Sequence, residues 1–117
     1  MNNKETGNFG EDAASEFLVN NGFSIITRNF RYGKGEIDII ANDAEILVFI
    51  EVKFRKSDEY GSPLLAITKN KQNQIRKIAL AYLTEKNITN TDCRFDVIGI
   101  TLDKENKPVI EHIKNAF

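Results

Sequence analysis

The sequence predicts an α/β (α+β) fold in which a central mixed β-sheet is flanked by helices, in the order α-β-β-β-α-β-β. Three observations carry that expectation. An apolar period of 3.6 residues runs near the amino terminus, three segments rich in β-branched and aromatic residues follow with short turns between them, and a second helical stripe precedes two more strands. With 117 residues there is material for one core, so a single domain over residues 1–117 is expected.

Each element has a local cause. Phe9, Ala13 and Phe17, with Ala14 and Leu18, share one helical face between Phe9 and Asn21, and Gly22 follows as a stop. Phe23 to Phe30 reads as a strand that ends in the turn-prone Tyr32-Gly33-Lys34-Gly35. Strands at Glu36 to Ala41 and Glu45 to Phe54 are joined by Asn42-Asp43-Ala44, which suits an antiparallel hairpin. Ser62-Pro63 starts a helical turn through Leu64 to Ile67, and Thr68 caps a longer helix to about Lys86 with Ile75, Ile78, Ala79, Tyr82 and Leu83 as its apolar stripe. A polar linker, Asn87 to Thr91, leads to strands at Arg94 to Leu102 and Val109 to Ile113.

Composition narrows the function classes. Apolar residues at 41% and charged residues at 28%, with few Gly and Pro, describe a folded domain and exclude disordered and collagen-like chains. One cysteine, Cys93, and one histidine, His112, cannot make an internal disulfide or a zinc cage, so a bound metal would have to be held by carboxylates. Met1 to Glu5 carries no apolar segment, and the longest strictly apolar run, Ile46 to Ile50, is far short of the roughly 20 residues of a membrane span. A cytoplasmic protein with no membrane partner is expected. The net charge is only −1, so a nucleic-acid partner would have to be met by local charge.

The informative residues are polar ones set into apolar strands. Ile37 and Ile39 are expected on one side of their strand with Ile40 on the other, and Ile46, Val48, Ile50 and Val52 opposite Leu47 and Phe49. Glu36, Asp38, Glu51 and Lys53 interrupt that pattern. In a hairpin they fall at one end of the strand pair, and a register with odd residue sums, such as Asp38 opposite Glu51, would put all four on one face. Facing carboxylates repel, and a hard divalent cation, Mg2+ or Mn2+, is their natural counter-charge. Such an ion polarises phosphoryl oxygens, and a neighbouring lysine can orient the attacking water. Glu11 on the first helix is a further candidate ligand. Alternatively, Asn8-Phe9-Gly10-Glu11 is a capping box in which Glu11 merely closes the helix start.

The second helix and the charge distribution point to the same place. Lys71 and Gln74 share a helical stripe with Ile75, Ile78 and Tyr82, so polar groups are expected beneath the start of that helix, unless Lys71 simply reaches past the core to solvent. Three stretches collect 10 of the 16 basic residues and no acid: Arg28, Arg31 and Lys34; Lys53, Arg55 and Lys56; Lys69, Lys71, Arg76 and Lys77. Phosphate-backbone contact would use such stretches, although a solvated surface also carries them. Phe30 and Tyr32 lie among the first group, where they could stack on bases or pack the rim of the core. His112 and Cys93 have no catalytic context and read as structural.

Gly10-Glu11-Asp12-Ala13-Ala14, Arg28-Asn29-Phe30-Arg31, Gly35-Glu36-Ile37-Asp38-Ile39-Ile40, Phe49-Ile50-Glu51-Val52-Lys53-Phe54-Arg55, the Lys71 helix and Arg94-Phe95-Asp96-Val97 together resemble the YraN-like family of small bacterial proteins. That family is similar to the PD-(D/E)xK nuclease superfamily, with its restriction-endonuclease-like fold, and to archaeal Holliday junction resolvases. The resemblance implies Asp38 and Glu51 as metal ligands, Lys53 beside the attacking water, Glu11 as an additional carboxylate, and Arg28 and Lys71 near the phosphate path. Ile37 stands where the superfamily name has Pro. The resemblance further implies DNA, branched or structured, as substrate, a homodimer, and a place near the nucleoid. Two readings stay open: a metal-dependent DNA nuclease, and a nucleic-acid-binding or interaction module that keeps the nuclease fold without efficient catalysis. A dedicated RNA enzyme is a third. In the sequence no apolar stripe stands out as surplus to the core.

Overall fold

The computed structural model describes residues 3–55 and 62–117. It contains helix α1 (Asn3–Asn20), strands β1 (Ser24–Tyr32), β2 (Gly35–Asp43) and β3 (Ile46–Phe54), a 3-10 helix (Pro63–Ala66), helix α2 (Lys69–Glu85), and strands β4 (Cys93–Leu102) and β5 (Pro108–Ile113). The α-β-β-β-α-β-β order is the expected one and is consistent with a restriction-endonuclease-like arrangement. The sheet order is β1-β2-β3-β4-β5, with β3 and β4 parallel and the other neighbours antiparallel. The parallel pair needs a crossover, which the 3-10 helix and α2 supply.

The helix ends follow from their sequences. α1 closes where Gly22 adopts φ 89°, letting the Phe23 N–H reach the Leu18 carbonyl at 2.9 Å. The Ser62 Oγ accepts the Leu64 N–H at 3.2 Å, and the Thr68 Oγ1 accepts the Lys71 N–H at 3.1 Å, so both expected caps are made. At the amino end α1 begins at Asn3, six residues before the expected start. Asn8 is therefore inside the helix, and the capping-box account of Glu11 does not hold.

Two cores lie on the two faces of the sheet. Ala14 and Leu18 of α1 pack on Ile39, Ala41, Val48, Ile50, Ile98 and Ile100 of the sheet. Ile37, Ile40, Leu47, Phe49, Val97 and the Ile75, Ile78, Ala79 and Tyr82 stripe of α2 form the other. The stripe and the β3 alternation are as the sequence predicted. In β2 the expectation fails: Ile37 joins Ile40 under α2, while Ile39 faces α1.

The cause is a switch of faces shared by both strands of the β1–β2 pair. Arg28 pairs with Ile39 and turns to α1, whereas Phe30 pairs with Ile37 and packs under α2. Asn29 between them has φ 56°, a left-handed conformation that Asn tolerates better than most residues. Asp38 is the β2 residue at the switch.

Towards the opposite end of the strands a second polar group ties the sheet together. Asp96, fully buried, accepts two bonds from Arg94 at 2.9 and 3.0 Å and the Asn115 N–H at 3.0 Å, and its Oδ2 lies 2.8 Å from His112 Nε2. Arg94 also pairs with Asp43 at 3.0 Å. Burial pushes the Asp96 carboxyl up, but His112, Arg94 and the Asn115 amide outweigh it and hold it below the ordinary value. Sequence reading gave Asp96 no role of its own.

Candidate functional site

β2 and β3 pair as Ile39↔Ile50, Ile40↔Phe49 and Ala41↔Val48, an odd-sum register that carries Asp38 towards Glu51. Beyond Ile39 a side chain takes over from the ladder: Asp38 Oδ2 accepts the Val52 N–H at 2.8 Å. Both carboxyls are buried, Asp38 to 9% exposure and Glu51 to 7%, and among the described residues Glu51 Oε2 has no hydrogen-bond partner. Burial is the main reason the Asp38 carboxyl is pushed up to about 6, against the Val52 hydrogen bond; the Glu11 and Glu36 charges add to the rise. Burial and then the Asp38 charge push Glu51 up to about 8, while Lys71 and Lys53 pull it down. At neutral pH the pair therefore keeps a proton unless another positive charge enters.

Glu11 and Glu36 approach Asp38 from the other side. One oxygen from each of Glu11, Glu36 and Asp38 lies within 4.8 Å of the others. Glu11 accepts from Asn29 Nδ2 at 3.0 Å and from Arg28 at 3.4 Å, and Arg28 also reaches Asp12 at 2.8 Å. Glu36 pairs with Arg31 at 3.3 Å. Asp38 thus belongs to two groups, one with Glu11 beneath α1 and one with Glu51, which feels Lys71 of α2. The four polar strand residues gather at one end of the sheet as expected, but the face switch spreads them around that end instead of along one face. Sequence reading assigned no role to Asn29, and it placed Glu36 among the four polar strand residues at this end of the sheet without naming it a ligand. An Asn between strand residues, where φ can turn positive, was the available signal for Asn29.

The profile of the family described as "Uncharacterised protein family UPF0102" matches residues 10–100. The chain belongs to this family. A UPF0102 protein of Geobacter sulfurreducens is 51% identical over 98% of this chain and 90% of its own length, and one of Dictyoglomus turgidum is 42% identical over the whole of both. Among solved structures, that of Pyrococcus furiosus SfsA in complex with Ca2+ aligns with 95% of this chain, which spans 63% of that protein, at 14% identity and a TM-score of 0.35. So loose a likeness bears on neither fold nor function.

The basic residues of this UPF0102 chain divide into groups. Lys53 follows Glu51 by two on β3, hence on the same face, and Lys71 is close enough for Glu51 to feel its charge. Gln74 packs over Gly35, where an added Cβ would lie 2.7 Å from Gln74 Nε2. The polar start of α2 therefore does cover the polar end of the sheet. Arg31 and Lys34 line an open cavity of about 410 Å3 at the β1–β2 turn, beside Glu36. Arg55 follows β3, with its N–H on the Ile100 carbonyl at 2.8 Å, and Lys69 is exposed on the first turn of α2. Arg76 lies elsewhere, stacked 4.9 Å over Phe95 and 5.4 Å over Phe117. Lys77 lines a groove with Leu80 on the solvent side of α2. Lys56 lies outside the described residues. Of the two aromatics, Phe30 is committed to the core, 5.1 Å from the Tyr82 ring, while Tyr32 stays exposed. Among the described residues no helix is long and apolar enough to cross a membrane.

Proposed function

We propose that this chain is a divalent-cation-dependent nuclease acting on phosphodiesters in DNA, with branched or structured DNA as the substrate class, as in the PD-(D/E)xK superfamily it resembles. The observation that carries this reading is the Asp38–Glu51 pair. Two buried carboxyls side by side, one with an oxygen that has no partner among the described residues, form a donor set whose charged form is unfavourable alone and favourable around a cation. Asp38 and Glu51 would hold Mg2+ or Mn2+, with Glu11 as a further carboxylate within reach of Asp38. When bound, the ion supplies charge to a phosphoryl oxygen and lowers the pKa of water.

The chain's own residues do the rest. Val52 fixes the Asp38 carboxylate through its N–H, Lys53 sits on the Glu51 face to orient a water and steady developing negative charge, and Lys71 contributes positive charge from α2. Arg31 and Lys34 at the β1–β2 turn would meet the phosphate backbone. One observation favours the alternative, a nucleic-acid-binding module without efficient catalysis: Glu11 is already engaged by Arg28 and Asn29.

Incubation of the purified protein with Mn2+ and a panel of duplex, nicked, single-stranded and four-way DNA, together with RNA, tests the two against each other. The nuclease reading expects cleavage of at least one DNA and its loss in Asp38→Asn. Salt-sensitive binding with no cleavage, unchanged in Asp38→Asn and weakened in Lys71→Ala, establishes the binding module instead.

A further inference from the structure

The solvent side of α2 carries a pattern that neither the core nor the carboxylate site uses. Lys77, Leu80, Ala81, Thr84 and Glu85 follow one another at helical neighbour spacings. Leu80 is 65% exposed, and Tyr32 at the end of β1, 58% exposed, lines the same groove. That groove, of about 510 Å3, lies on one side of Leu80. A second, of about 360 Å3 and lined by Leu83 and Ile88 among others, also has Leu80 in its wall. Leu80 is thus an apolar ridge between two hollows.

We propose that this face docks a second copy of the same chain, α2 against α2 in antiparallel orientation about a twofold axis at Ala81. Symmetry is written in the charges. Lys77 and Glu85 each stand four residues from Ala81, so a twofold there sets the lysine of either copy against the glutamate of the other, giving two opposite-charge pairs and no like-charge pair. The shape agrees. Alanine at the crossing point lets two helices approach closely, and the Leu80 ridge of each copy meets a hollow of the other, as ridges-into-grooves packing requires. Burying Leu80 and Tyr32 at the centre, with the charges at the rim, matches the usual anatomy of a protein interface. The pairing is independent of the nuclease reading and stands whether or not the chain cuts DNA.

Sedimentation equilibrium of the full chain at low salt, where rim charges are least screened, tests the arrangement. The expected result is a concentration-dependent passage from 13.3 kDa to about twice that mass. Lys77→Glu alone and Glu85→Lys alone should each weaken association by about tenfold or more, and the two together should restore it. In a Cys93→Ser background, Ala81→Cys should form an intermolecular disulfide with oxidised glutathione, whereas Lys107→Cys should not. A single 13.3 kDa species at all concentrations overturns the proposal, as does a dimer that both single charge reversals leave unchanged.

Discussion

The Asp38 carboxylate stands in for a backbone partner of Val52, accepting its N–H at 2.8 Å next to Glu51. That bond anchors one buried acid beside another at the point where β1 and β2 change faces. Most of what can be tested about the site follows from keeping two such groups together.

The first consequence is a pH dependence of stability. With no divalent ion present, Asp38 titrates at about 6 against an ordinary 3.8, and Glu51 at about 8 against 4.5. The folded state then binds protons that the unfolded chain has released. Their contribution to stability is complete below about pH 4 and is lost as pH rises through 6 and 8. In the presence of a chelator, thermal unfolding followed from pH 5 to pH 8.5 should show Tm falling by several degrees. Added Mn2+ should flatten that fall.

Glu51→Gln removes the costlier of the two charges and keeps the shape. In chelator at pH 8 the variant should be more stable than the parent by about 2 kcal/mol in urea unfolding, and the gain should shrink towards zero at pH 5. A residue that stabilises the fold when removed is retained for something other than the fold.

Period and capping located both helices and all five strands, because Thr68, Ser62 and Gly22 act through their own backbone neighbours. The convergence of Asp38 and Glu51 was also legible, since a hairpin places the start of one strand beside the end of the next. The side taken by Ile37 was not legible, because strand alternation assumes ordinary φ and Asn29 departs from it. The early start of α1 was missed because Asn3 to Asn8 lacks an apolar period. Asp96 was invisible as a hub, since its partners His112 and Asn115 arrive from β5 and the residues after it.

Asp96→Asn tests that hub. The change leaves the partly buried Arg94 guanidinium without its full counter-charge inside the sheet and weakens the His112 contact, so it should cost about 3 kcal/mol. Urea unfolding monitored by circular dichroism reads this as a lower midpoint. Lys107→Ala, an exposed partner of Glu105, should leave the midpoint within about 0.5 kcal/mol of the parent.

Gly99→Ala probes the seating of the crossover. A Cβ at Gly99 would collide with the ring of Pro63, which is rigid and cannot swing aside. The 3-10 helix would have to lift from β4, at a cost of about 2 kcal/mol. A midpoint unchanged from the parent would show that the Pro63 turn does not rest on β4.

The most direct test of the central claim is calorimetric titration of Mn2+ into the metal-free protein at pH 7.5, beside Asp38→Asn. The account predicts saturable binding to the parent, release of protons in proportion to buffer ionisation enthalpy as Asp38 and Glu51 lose theirs, and at least about tenfold weaker binding to Asp38→Asn. No binding by the folded parent, or equal affinity in the two proteins, would contradict it.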